Sequence, residues 1–122
     1  MIGYVSLGSN DMQRASAFYD TLLGEMGAKR TLNFDRFIIW GKSEAEPALA
    51  VCTPYDGKHA TVGNGVMVAL ACADRAEVDR LHARALALGG TDEGAPGERG
   101  PGFYAGYFRD PDGNKLNFFK IG

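Results

Sequence analysis

VMVALACADRAEVDRLHARALALGG, residues 66–90, repeats the pattern of GYVSLGSNDMQRASAFYDTLLGEMG, residues 3–27, at an offset of 63 residues. Tyr4 falls opposite Met67, Leu7 opposite Leu70, Asp11 opposite Asp74, Phe18 opposite Leu81, Leu23 opposite Leu86 and Gly27 opposite Gly90. Each copy reads as a short apolar strand, a capping residue, a helix and a glycine stop. Asn10 is placed to cap the first helix with Gln13 three residues on, and Asp74 to cap the second with Glu77. Met12, Ala15, Phe18, Tyr19, Leu22 and Leu23 recur at helical spacing, as do Val78, Leu81, Ala85 and Leu88. Gly24 and Gly27 stop one helix and Gly89-Gly90 the other. Identities are few, so the repeat is one of pattern, and it decides the architecture.

Outward from the two copies, strands are expected near 26–32, 34–41 and 48–53 in the first half, with a polar turn from Lys42 to Pro47. In the second half they are expected near 91–95, 103–109 and 114–120. A glycine- and proline-rich loop from Gly94 to Gly102 separates the first two of these, and the turn Asp110 to Asn114 joins the last two. The expectation is an α+β chain of two βαβββ modules, about 1–54 and 65–122, joined by a polar linker about 55–64 within a single domain, 1–122. A lone helix covers only one face of its sheet, so the other face needs a partner. Two curved mixed sheets would leave a central pocket. Strand alternation then sends Tyr4, Met67 and Asn117 to the pocket side and Leu7 and Leu70 under the helices.

The 122 residues suit one domain, and a 45% hydrophobic, 23% charged composition is that of a globular protein. A net charge of -2 without a basic stripe argues against nucleic acid as a partner. No stretch approaches the roughly 20 apolar residues that span a bilayer, and the first residues do not read as a signal peptide. A cytoplasmic protein is therefore expected. Cys52 and Cys72 read as free buried thiols, with a disulfide left open.

Three stretches carry a family resemblance: SNDMQRASAFYDTLLG (9–24), the restart at 66–90, and YFRDPDGNKLNFF (107–119). The chain resembles the vicinal oxygen chelate superfamily, which holds glyoxalase I, bleomycin-resistance proteins and extradiol dioxygenases. GAPGERGPGFYAGYFRDPDG (94–113) is similar to one glyoxalase-like branch of it. The resemblance implies the two-module fold throughout, and a homodimer. It also implies that the metal ligands of metal-binding members correspond to Tyr4, Met67, Asn117 and Val51. Those members use His, Gln or Glu there. A phenol, a thioether, an amide and an isopropyl group are poor ligands for zinc, nickel, iron or manganese. No metal cofactor is expected.

The remaining candidates each have a plain structural alternative. Tyr4 either fills the place of the missing metal or hydrogen-bonds a ligand. Asn117 offers a donor and an acceptor. Trp40, Phe37, Tyr104 and Tyr107 are core aromatics or a surface for a planar ligand, and Trp40 and Tyr107 enter the candidate set. Arg99 is a solvated arginine or a clamp for an anion. His59 reads as a loop residue and His82 as helix packing, which leaves little for histidine acid–base chemistry. The expected function is binding of a small molecule without a catalytic metal. The alternatives are a metal-independent, or atypical-metal, lyase or isomerase acting on a small carbonyl compound, with Tyr4, Asn117 and Tyr107 as its polar groups, and a purely structural module.

Overall fold

The computed structural model describes residues 1–122 and divides them into two compact units, Met1–Val62 and Gly63–Gly122. The first contains β1 (Tyr4–Gly8), α1 (Met12–Gly24), β2 (Lys29–Phe34), β3 (Phe37–Gly41) and β4 (Ala48–Cys52). The second contains β5 (Val68–Ala71), α2 (Arg75–Ala87), β6 (Thr91–Gly100), β7 (Phe103–Arg109) and β8 (Lys115–Ile121). The expected βαβββ order therefore appears twice, in an α+β fold of two helices and eight strands.

In the first unit the strand order is β1-β4-β3-β2. β1 runs parallel to β4, because the helix carries the chain back before it re-enters the sheet, and the other pairs are antiparallel. The core lies on the helix side: Ala15, Phe18, Tyr19, Leu22 and Leu23 of α1 are buried together with Leu7, Ile38, Trp40, Leu49 and Val51 of the sheet. Asp11, rather than Asn10, caps α1, its carboxylate accepting from the Arg14 N–H at 2.9 Å. That choice matches the repeat, which pairs Asp11 with the cap Asp74. Asn10 clamps a different segment: its amide oxygen accepts from the Ala60 N–H and its amide nitrogen donates to the Ala60 carbonyl, at 2.7 and 3.0 Å. Residues 54–62 are thereby tied to the first unit.

The second unit has the corresponding order β5-β8-β7-β6, with β5 parallel to β8. Val78, Leu81 and Ala85 of α2 are buried along with Phe108, Leu116 and Phe118, and the rings of Phe108 and Phe118 stack at 5.2 Å. The Glu77 N–H donates to Asp74, and the Glu77 carboxylate accepts from the Ala73 N–H, one residue before the cap. The loop expected from Gly94 to Gly102 is corrected: most of it is strand. β6 continues to Gly100 through three register shifts against β7. Its glycines and proline remove the apolar alternation by which a strand is recognised, and the bulges absorb them.

Candidate ligand-binding site

In each unit the sheet has one face under its helix and one helix-free face, and strand parity assigns every candidate to one of them. On β1, Tyr4 turns to the helix-free face, half-exposed, with its ring edge-on to Phe37 at 6.0 Å. Trp40 does not join it. Trp40 shares its parity on β3 with Ile38, is 1% exposed, packs 5.7 Å from Tyr19 of α1 and donates its indole N–H to Asp20 at 2.9 Å. This removes Trp40 from the ligand-facing aromatics and makes it a core residue. Val51 is corrected for the same reason. It pairs with Leu7 on the helix side and is fully buried, whereas Ala50 pairs with Ser6 on the face that carries Tyr4. In the second unit Asn117 pairs with Ala69, the repeat counterpart of Ser6, so the residue equivalent to Asn117 is Ala50.

In the second unit four of the candidates gather on the helix-free face. Tyr107 of β7 stands directly across from Asn117 of β8. The Arg99 guanidinium lies 5.4 Å from the centre of the Tyr107 ring, and the Lys115 ammonium 5.6 Å from it. Lys115 was not among the residues singled out from the sequence. Its parity with Asn117 on β8 was the available signal. Asn117 is 1% exposed; its amide nitrogen donates to the Met67 sulfur at 3.7 Å, while its amide oxygen is buried with no partner. Met67 is itself partly exposed. Tyr104 points the other way, its hydroxyl donating to Asp79 of α2 at 2.6 Å.

The thiols and imidazoles have structural roles. Cys52 and Cys72 are free, which answers the open disulfide question. Burial pushes the Cys52 thiol up, with Arg36 opposing, and burial aided by Glu77 pushes Cys72 up to about 12. His59 is exposed and sits 3.1 Å from the Asn10 amide. His82 is buried, with Nε2 near both the Asp92 carboxylate and the Tyr107 carbonyl, at 3.1 and 3.0 Å. Two acceptors around one nitrogen require that nitrogen to donate. An open depression of about 290 Å³ lies instead beside the Asp110 turn, lined in part by Thr91, Glu93 and Arg109. Its charges are already paired, Arg109 to Glu93 at 2.6 Å.

The Glyoxalase/Bleomycin resistance protein/Dioxygenase superfamily matches residues 1–118. The chain belongs to this superfamily. A crystal structure of a glyoxalase/bleomycin resistance protein from Albidiferax ferrireducens T118 is similar at 34% identity, with a TM-score of 0.89 over 98% of this chain and 97% of that one. A glyoxalase-related enzyme from Fulvimarina pelagi (21% identity, TM-score 0.80, 98% and 86% covered) shares the fold. So does a lactoylglutathione lyase from Agrobacterium tumefaciens (24%, 0.73, 98% and 92%). Nothing among curated proteins matches the sequence.

The family resemblance assigns the ligand places of metal-binding members to Tyr4, Met67, Asn117 and Val51, and the repeated register puts Ala50, not Val51, at the place equivalent to Asn117. A phenol, a methyl group, a thioether and an amide do not fit a zinc, nickel, iron or manganese ion, which takes imidazole, carboxylate or thiolate. No three His, Cys, Asp or Glu side chains gather elsewhere as a substitute set. No helix is long and apolar enough to cross a membrane.

Proposed function

We propose that the protein is a small-molecule-binding member of the superfamily that works without a catalytic metal. The donor set supports this reading: the places that the family resemblance assigns to metal ligands hold Tyr4, Met67 and Asn117, and the fourth, by register Ala50 and by the resemblance Val51, has no side-chain donor atom either way. Similarity to the Albidiferax glyoxalase/bleomycin resistance protein supports the ligand-binding half of the reading. The test is elemental analysis after incubation with zinc, nickel, iron or manganese and removal of the excess. Metal well below one equivalent per chain is expected, and a stoichiometric ion retained by the wild type sinks the proposal. By the family resemblance the working form is a cytoplasmic homodimer. Sedimentation equilibrium at twice the chain mass is expected, and a monomer at all concentrations refutes it.

A second reading, a metal-independent lyase or isomerase acting on a small carbonyl compound, draws on one observation. Tyr107 and Asn117 face each other across β7 and β8, where a hydroxyl and an amide N–H would hydrogen-bond a developing oxyanion. Loss of one such donor slows an enzyme roughly a hundredfold or more. Unchanged turnover in Tyr107→Phe, for any carbonyl substrate found, eliminates it.

A further inference from the structure

We propose that the helix-free face of the second sheet recognises an organic anion: Arg99 holds its carboxylate beside the Tyr107 ring, Lys115 adds positive charge from the other flanking strand, and the Asn117 amide oxygen accepts from a hydroxyl or N–H on the same ligand. This rests on the ligand-binding reading above and names the chemical class of the ligand.

Three observations converge on the surroundings of Tyr107 on this face. The first is uncompensated charge. Three other arginines of this unit are paired with carboxylates: Arg75 with Glu98 at 2.8 Å, Arg80 with Glu77 at 3.8 Å and Arg109 with Glu93 at 2.6 Å. Arg99 and Lys115 have no carboxylate partner, yet both approach the same ring, at 5.4 and 5.6 Å. They leave positive charge without a counter-anion on either side of that ring, and a bound anion is attracted to it. The planar fork of Arg99 suits a carboxylate in bidentate contact, and Lys115, on the opposite neighbouring strand, raises the positive potential of the same face.

The second observation is how Arg99 is held. Its guanidinium donates to the Ala95 carbonyl at 2.5 Å and lies against the backbone of β6. A Cβ added at Gly97 would come within 3.0 Å of one of its terminal nitrogens, and one at Gly94 within 3.3 Å of the other. The two glycines leave room for the guanidinium to lie flat towards Tyr107. This gives the unusual composition of β6 a purpose that strand propensity does not supply.

The third observation is the orphaned acceptor. Asn117 is 1% exposed, and its amide oxygen has no hydrogen-bond partner. An unsatisfied buried carbonyl costs about 1–3 kcal/mol. It stands across from Tyr107 and two residues along β8 from Lys115, on their face of the sheet. The amide's hydrogen-bond contact is the weak one to the Met67 sulfur, and a flexible thioether is readily moved aside. A ligand bearing both a carboxylate and a hydrogen-bond donor would therefore satisfy the cations and the amide together.

Isothermal titration of the full chain tests this with para-hydroxybenzoate, its methyl ester and benzoate as probes. Para-hydroxybenzoate is expected to bind saturably, the ester at least about tenfold more weakly and benzoate in between. Arg99→Gln and Lys115→Gln, both surface changes, should each weaken the acid about tenfold and leave the ester unaffected. Failure of the acid to bind overturns the anion site. Equal binding of acid and ester, insensitive to both substitutions, also overturns it but leaves a ligand-binding protein standing. Stoichiometric metal on the purified chain would instead overturn the metal-free reading and leave the anion site intact.

Discussion

Asp20, on α1, accepts hydrogen bonds from Arg30 through both oxygens, at 2.9 and 2.7 Å, and from the buried Trp40 indole at 2.9 Å. The Arg30 hydrogen bonds hold its carboxyl below the usual carboxylate range, with Trp40 helping and burial opposing. Asp20→Ala would leave the Trp40 N–H buried and unpaired, so a loss of about 1–3 kcal/mol in urea unfolding at neutral pH is expected. A depressed folded pKa means the charged form stabilises the fold. The wild type's advantage over Asp20→Ala should therefore be fully present above the unfolded value, about pH 4, and shrink as the pH falls through the lower folded value. A constant difference between pH 7 and pH 2 contradicts this account. The thiols give a second residue-scale prediction. With Cys72 pushed up to about 12, its thiolate is a trace species at pH 8, and the less buried Cys52 should be alkylated first by iodoacetamide. Peptide mapping that finds Cys72 labelled as fast as Cys52 would refute it.

Among the elements, β6 shows where reading the sequence stops. Both helices were legible because capping residues, apolar spacing and glycine stops coincide. The strands with apolar alternation, such as β7 and β8, were legible for a similar reason. β6 carries TDEGAPGERG, which offers no alternation, and it is a strand only because β7 supplies a partner edge. The site was partly legible. Tyr4 and Asn117 were placed by parity on β1 and β8, and each lies on the helix-free face of its own sheet, whereas Met67 falls just before β5 rather than on it. Trp40 was misplaced because its parity on β3 depends on where a short hairpin begins, and Val51 because the register of β4 against β1 depends on the length of the preceding turn. Neither is set by composition. Gly90 at the end of α2 is an example of a glycine set by close packing. A Cβ there would lie 2.8 Å from the Ala85 carbonyl oxygen and 2.9 Å from that of Arg109, and both are backbone. Backbone cannot swing aside as a side chain can, so Gly90→Ala should cost roughly 1–3 kcal/mol by chemical denaturation. A loss below a few tenths would show that the α2–β6 junction is looser than described.

Over the whole molecule the net charge is -2, so an anionic ligand meets no general attraction. Affinity for an anion has to arise locally, where Arg99 and Lys115 stand unpaired by the Tyr107 ring. The metal-free and anion proposals can then be read on one observable, the melting temperature. Any species that binds the native state raises it by mass action, adding about 2.7 kcal/mol at a hundred times its dissociation constant. For 122 residues that corresponds to a rise of roughly 10 °C. On the metal-free proposal, zinc, nickel, iron and manganese are expected to leave the melting temperature unchanged, because a phenol, a methyl, a thioether and an amide are poor ligands for them. Para-hydroxybenzoate is expected to raise it, and the rise should shrink as sodium chloride is increased from about 0.01 to about 1 M, since screening weakens contacts to partly exposed cations. A salt-independent rise would mean that the probe is held by apolar contact alone. A rise with zinc that survives Arg99→Gln and Lys115→Gln would mean that the chain retains a metal site its donor chemistry does not account for.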